Sequence, residues 1–225
     1  MVNSRNIVIE DINFSEALRY LGYGSHTPDS QTKELLLLCS EELKKVMEGK
    51  YIYKVFDLKD GQIPDCDFRL EGKSITEHLQ NCTKVIFVCA TIGSKVDALI
   101  RKKQITGMAE AMILDSLASV AVEQVCDLAQ EKILEDFQQY EHTWRFGVGY
   151  GDFSINAQKQ FLDIIDAPKR IGVCVNQAMM LTPTKSITGI IGLGNNLAIE
   201  SKKSCEWCNF RDKCQFRKEG TSCEK

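Results

Sequence analysis

The sequence predicts an α+β fold with a largely antiparallel sheet flanked by helices, one of which is long and central. Helical and strand patterns are mixed along the 225 residues without the regular β–α alternation that a parallel sheet requires. Segment 108–137 keeps a helical period throughout, and its small residues permit close packing. Segment 85–89 is a continuous apolar run, short enough to be a buried strand.

The N-terminal elements follow from local signals. Thr27, Pro28 and Asp29 supply a capping hydroxyl, a proline for the first helical position and an acid for the positive end of the helix dipole. A helix should therefore run from there to about residue 45. β-Branched and aromatic residues predict a strand over 51–58. The capping box Ser74-Ile75-Thr76-Glu77 predicts a short helix.

The remaining elements complete the predicted fold. Gly93 leads into a helix that precedes the long central one, and another short helix is expected over 156–165. Three strands are expected near the C-terminus, at 171–175, 178–181 and 186–191.

Composition and charge narrow the classes of function. The net charge is −3 and there is no long basic run, so nucleic acid is not an expected partner. No apolar run approaches the length of a membrane span, and the N-terminus lacks a signal-peptide core. We therefore expect a cytoplasmic protein with no membrane partner. His26, His78 and His142 have no metal-ligand spacing and are predicted to be surface or turn residues.

Six of the ten cysteines are scattered through the chain, several of them in apolar or helical contexts. In a reducing compartment the simplest interpretation is that they are small buried hydrophobic residues. They are Cys39, Cys66, Cys82, Cys89, Cys126 and Cys174.

Residues 145–151 combine an arginine, three glycines and a tyrosine directly after the long predicted helix. Glycine lets a ligand lie against bare main-chain groups, and arginine offers a planar fork that matches a carboxylate. This combination suits a small zwitterion with an aromatic ring. By spacing alone, a glycine-rich connection whose arginine caps carbonyl groups explains the segment better.

The same segment resembles the Arg-x-x-x-Gly-Tyr signature of the activation domain of cobalamin-dependent methionine synthase, which binds S-adenosylmethionine (AdoMet). Residues 181–189, Leu-Thr-Pro-Thr-Lys-Ser-Ile-Thr-Gly, resemble the family's Met-x-Pro-x-x-Ser-x-Ser-Gly segment, a second wall of the same site. Residues 85–93 look like the family's buried strand running into a helix. Residues 18–23 are similar to free-standing members of the family. The matching segments stand in the family's order.

The resemblance implies a set of AdoMet-binding residues. Arg145 would bind the carboxylate, the backbone of 146–149 would bond the adenine edge, and Tyr150 would close the loop. The implied cofactor-binding residues are Arg145, Phe146, Gly147, Val148, Gly149 and Tyr150.

One acid is a further candidate for the site, and the chain departs from the family pattern at three positions beside it. Glu123 lies among apolar residues of the long helix, although a solvent-exposed helix flank explains it equally well. Val148 and Gly151 stand where the family commonly has proline, and Ile190 stands where it often has an aromatic residue that contacts the ligand.

The function implied by the resemblance is that of a reactivation subunit. It would support reductive methylation of cob(II)alamin on a cobalamin-dependent methionine synthase, with AdoMet as methyl donor and a flavodoxin or ferredoxin as low-potential electron donor. The protein would contribute placement, so no catalytic side chain is expected. Cobalamin should arrive with the partner, because the chain has no Asp-x-His-x-x-Gly motif. The alternative is a metal-bearing interaction or electron-transfer module for another corrinoid methyltransferase.

The last cysteines form a separate group with the spacing Cys205-x2-Cys208-x5-Cys214-x8-Cys223. Four thiolates can bind one metal ion or cluster, and nearby lysines and arginines would offset their charge. The gaps fit neither a ferredoxin run nor a zinc ribbon; the implied function favours a 4Fe–4S cluster over zinc. A disordered tail with reactive thiols is the alternative.

We thus expect an N-terminal region (1–74) integrated with an AdoMet-binding core (75–200), and a metal-binding tail (201–225).

Overall fold

The computed structural model describes residues 2–23, 26–64, 66–197 and 212–213. Within these ranges the helices are α1 (Phe14–Tyr20), α2 (Ser30–Val46), α3 (Lys73–His78), α4 (Ser94–Thr106), α5 (Met108–Leu134), α6 (Gln158–Ile164) and α7 (Ala167–Arg170). Single 3-10 turns lie at Glu135–Phe137 and Ile155–Ala157. The strands are β1 (Val2–Ile7), β2 (Gly49–Asp57), β3 (Cys82–Thr91), β4 (Glu141–His142), β5 (Cys174–Val175), β6 (Leu181–Thr182) and β7 (Ser186–Gly194).

Five of these strands form one antiparallel sheet in the order β1-β2-β3-β7-β4. The central strand β3 is apolar on both faces because both faces are covered. Ile86 and Val88 face the layer of α1, α2, α4 and α5, whereas Val85 and Phe87 face the layer that contains α3, α6 and α7. The predicted α+β class with a largely antiparallel sheet is confirmed.

Helix α5 is the long central helix that the sequence predicts. Its small residues Ala118 and Ala121 are fully buried, which allows close approach to the sheet and to neighbouring helices. Ser116 Oγ donates a hydrogen bond of 2.6 Å to the carbonyl of Ala17, which fixes α1 against α5. Within the described ranges no helix is long and apolar enough to cross a membrane.

Two helices are capped at their N-termini by residues other than those that the sequence predicts. Helix α2 is capped by Asp29, whose carboxylate accepts from the Thr32 N–H at 2.7 Å, so Thr27 lies outside the helix. Helix α3 does not use its own capping box. Asp152 accepts from the N–H groups of Lys73 at 2.7 Å and Ser74 at 2.9 Å, and so caps α3 from 79 and 78 positions away in sequence.

The C-terminal elements differ from prediction in their bounds. The helix expected over 156–165 is a 3-10 turn followed by α6, and the strands expected over 171–175 and 178–181 shrink to the two-residue β5 and β6. The strand expected over 186–191 extends to Gly194 because β4 and β3 pair with its end. Strands β1 and β4 were not predicted. Of the scattered cysteines, Cys39, Cys89 and Cys126 are buried, but Cys174 is exposed, contrary to expectation.

Candidate ligand-binding site

The segment after β4 continues beside β7 and, within the described part of the chain, forms an open edge of the sheet. The Phe146 N–H donates to the Ile190 carbonyl at 2.9 Å, and the Ile190 N–H donates to the Phe146 carbonyl at 2.8 Å. Since residues alternate in such a ladder, Arg145 and Gly147 direct their backbone groups away from β7. Both backbone groups of Phe146 are therefore hydrogen-bonded to Ile190 of β7.

The Arg145 side chain crosses Gly189 and reaches the surface of α5. Its Nη1 donates to Gln130 Oε1 at 3.0 Å, and its Nη2 donates to Glu123 Oε2 at 3.1 Å and to Asp127 Oδ1 at 3.0 Å. The structure thus brings together Arg145 and Glu123, which the sequence indicated only separately. Asp127 and Gln130 were missed, although their spacing from Glu123 places all three on one helix face.

The charges of this cluster are arranged so that the cation is buried and the anions are open to solvent. The Arg145 side chain is 9% exposed, whereas those of Glu123 and Asp127 are 45% and 64% exposed. Burial alone lowers the pKa of Arg145, but the acidic groups of Cys126, Asp127 and Glu123 raise it overall. The guanidinium therefore stays charged, and its carboxylate partners remain reachable by a ligand.

The loop from 147 to 151 depends on its glycines. The Gly147 carbonyl accepts from the Tyr150 N–H at 3.1 Å, which closes a turn. Gly149 and Gly151 have φ angles of +89° and +59°, the left-handed region that favours glycine. A Cβ on Gly149 would also lie 2.8 Å from Ile155 Cδ1, so the loop packs directly against the turn before α6.

An aromatic cluster supports the loop on the opposite face of the sheet from Arg145. The Phe146 ring lies 5.3 Å from that of Tyr150 and 5.0 Å from that of His78. The imidazole of His78 also lies 4.6 Å from Trp144 and forms a 2.8 Å hydrogen bond with Thr143 Oγ1. Burial lowers the pKa of His78 to about 4. His78 is thus a half-buried residue at the end of α3 that packs against the aromatic rings beside the loop.

Segment 181–189 is attached to both flanking helices. The Thr184 N–H and hydroxyl donate to the buried Asp97 carboxylate of α4 at 2.9 and 2.5 Å. Lys185 Nζ lies 2.8 Å from Asp115 Oδ1 and donates to Ser119 Oγ at 2.8 Å, both on α5. With the Arg145 stem lying on Gly189, this segment and the glycine loop meet in space.

A groove of about 770 Å³ runs between α1, α5 and this segment. Its volume falls in the range of small-molecule sites. Its lining combines exposed apolar side chains with polar ones, among them Tyr20, Met108, Met112, Ser119, Glu123 and Lys185. Because Glu123 also bonds Arg145, the groove and the arginine cluster are continuous.

The chain has the fold of the MetH reactivation domain. It aligns with a crystal structure of that domain bound to AdoHcy with a TM-score of 0.65, over 99% of this chain and 87% of that chain, at 11% sequence identity. At this identity the likeness shows the fold alone. Neither a protein-family model nor a curated protein sequence matches the chain.

The predicted metal ligands Cys205, Cys208, Cys214 and Cys223 lie outside the described residues. Over the ranges that are described, no group of three or more His, Cys, Asp or Glu side chains could hold a metal ion.

Proposed function

We propose that this protein binds AdoMet at the Arg145 cluster and acts as a free-standing reactivation subunit for a corrinoid methyltransferase such as methionine synthase. One observation carries the proposal: the two segments that resemble the activation-domain signatures, 145–150 and 181–189, are in contact through Arg145 and Gly189. They meet in a chain with the fold of a domain crystallised with AdoHcy.

The adenine would lie against the open sheet edge. Arg145 and Gly147 turn a carbonyl and an N–H away from β7, and a strand edge offers such groups in a row. Adenine presents an amino donor beside a ring-nitrogen acceptor, so its edge complements one carbonyl and one N–H. Because Gly147 has no side chain, the ring can approach the backbone closely.

The amino-acid end of AdoMet would insert into the ion pair between Arg145 and Asp127. The ligand carboxylate takes the place of the largely exposed Asp127 on the guanidinium, and the ligand ammonium then meets Asp127 or Glu123. Such an exchange adds one cation and one anion and leaves the net charge of the cluster unchanged. The carboxylate–guanidinium contact can be bidentate, which fixes orientation.

The chain's contribution to the reaction is placement. Methyl transfer from AdoMet to the reduced corrinoid of the partner leaves AdoHcy, and an external one-electron donor supplies the reduction. The groove would hold the sulfonium methyl in line with the partner's cobalt. No side chain of the site is required as nucleophile or base.

Calorimetric titration of AdoMet into the protein and its Arg145→Ala variant tests the proposal. Loss of a charged hydrogen-bonded contact, about 1.5–3 kcal/mol, should weaken binding about 10- to 150-fold. Decarboxylated AdoMet, which lacks the carboxylate, should bind both proteins alike. Arg170→Ala is the matched control, because Arg170 is an ion-paired arginine on α7 outside the groove. Failure of the wild type to bind AdoMet, or equal binding by Arg145→Ala, would contradict the proposal.

We also propose that segment 201–225 is a separate metal-binding unit in which Cys205, Cys208, Cys214 and Cys223 hold a 4Fe–4S cluster or zinc. The support is their spacing and the basic residues around them. Iron, sulfide and zinc analysis of anaerobically purified protein tests this, with Cys205→Ala/Cys208→Ala as the comparison. Zinc without iron would exclude an electron relay. Metal binding without AdoMet binding would favour the alternative function, an electron-transfer or interaction module for another corrinoid protein.

A further inference from the structure

Gln158 at the start of α6 has a buried amide that is only half satisfied. The residue is 2% exposed, and its Nε2 donates to Thr188 Oγ1 at 2.8 Å. Its Oε1 is buried and has no hydrogen-bond partner among the residues that the structure describes. Exchanging the amide oxygen and nitrogen would leave the nitrogen unpaired instead, so one end lacks a partner in either orientation. A buried polar atom without a partner is costly and calls for an explanation.

Two residues near Gln158, Thr188 of β7 and Ile155 of the preceding 3-10 turn, approach the loop against which adenine would lie. Thr188, its hydrogen-bond partner, has its carbonyl oxygen 3.9 Å from the position that a Cβ on Gly147 would occupy. Ile155, one turn before Gln158, contacts Gly149 and leaves part of its side chain exposed. Gln158 is thus linked to the glycine loop through Thr188, which it bonds, and lies one turn after Ile155, which contacts Gly149.

We propose that Gln158 is a specificity-determining residue for the purine, and that its Oε1 accepts a hydrogen bond from the 6-amino group of the bound adenine. This inference rests on the proposed function. The amino group has two hydrogens, so it can donate to a main-chain carbonyl of the edge and to Gln158 together. Thr188 orients the amide by accepting from its nitrogen, which directs the oxygen to the ligand.

The chemistry of this contact predicts which ligands are discriminated. A purine without the 6-amino group loses its bond to the main-chain carbonyl and also leaves the Gln158 oxygen unpaired. The part of the loss in affinity that is due to Gln158 is that of one neutral hydrogen bond, about 2- to 12-fold. Replacing Gln158 by methionine, which is unbranched and apolar, removes the acceptor and with it this part of the discrimination.

The experiment compares S-adenosylhomocysteine with its analogue in which hydrogen replaces the 6-amino group, by calorimetry on the wild type and on Gln158→Met. The ratio of the two dissociation constants should be about 2- to 12-fold smaller in Gln158→Met. Thr188→Val, which removes the hydroxyl that orients the amide, should reduce the ratio as well. Gln160→Met on the same helix is the control, because Gln160 is exposed and donates to the Asp67 carbonyl; it should keep the wild-type ratio.

The outcomes separate this inference from the proposed function. If the wild type binds neither ligand, the proposed function and this inference both fail. If it binds them and Gln158→Met and Thr188→Val keep the wild-type ratio, only the role of Gln158 is overturned. A purely structural role would appear as a lowered melting temperature of Gln158→Met with an unchanged ratio. Gln158→Met removes the unpaired oxygen and also the bond to Thr188, so the ratio of dissociation constants decides between the two roles.

Discussion

Replacing Gly189 by alanine should displace Arg145 without any backbone strain. Gly189 does not have a left-handed φ, so alanine is conformationally acceptable there. Its Cβ, however, would overlap Arg145 Cγ and lie 2.9 Å from Arg145 Cδ. The stem of the arginine lies where the methyl group must go, and a shift of this stem moves the guanidinium away from α5.

The variant can relax in two ways, and both predict a similar loss in the free energy of unfolding. If Arg145 stays, the strand and the side chain are overpacked, which costs about 1–3 kcal/mol. If Arg145 leaves, it loses two ion pairs to half-exposed or exposed carboxylates, worth about 0–1 kcal/mol each, and the hydrogen bond to Gln130, worth about 1 kcal/mol. We therefore expect Gly189→Ala to lower the free energy of unfolding by about 1–3 kcal/mol and to weaken AdoMet binding.

Urea denaturation of a double-mutant cycle tests the cause. Arg145→Ala removes Cγ and Cδ, so in that background Gly189→Ala should cost less than about 0.5 kcal/mol. Gly192→Ala is the matched control on the same strand, because its Cβ would overlap Cys82 Sγ and lie 2.9 Å from Leu79 Cδ2, away from Arg145. Its cost should be additive with Arg145→Ala. Additive costs for Gly189→Ala would refute the steric coupling.

Three further predictions concern the supports of the site. Burial lowers the pKa of His78 to about 4, so between pH 4 and about 6.5 the unfolded chain binds more protons than the folded protein. The free energy of unfolding should therefore fall with acidification across that window. Denaturation measured at a series of pH values should show that His78→Phe loses this dependence. The backbone N–H groups of Ser74 and then Lys73 lower the pKa of Asp152. The stabilisation of α3 by Asp152 should therefore be present above pH 4 and be lost as the pH falls through this lowered pKa. Asp152→Asn should raise the pH at which half of the protein is unfolded by acid. Asp97→Ala leaves Thr184 without its buried acceptors and should cost about 1–3 kcal/mol in urea denaturation, and an unchanged midpoint would contradict this.

Much of the fold could be predicted because its signals are local. The continuous apolar run in β3 and the small residues of α5 record burial on both faces of a strand and close packing of a helix. Strand β4 could not be predicted, since two residues carry no periodicity and its pairing is decided by β7. Likewise the hairpin strands β5 and β6 are too short for their composition to fix their bounds.

The sequence by itself determined the fold class and the two glycine-containing segments that meet at the site. The tertiary structure alone decided what those residues do: Arg145 faces α5 and bonds Glu123, Asp127 and Gln130, while Phe146 turns its backbone into the sheet. Such contacts join positions far apart in the chain, and their geometry depends on how helix and sheet pack. A pattern of residue types can indicate that a cation and an acid are present, but only the packing determines that they are partners.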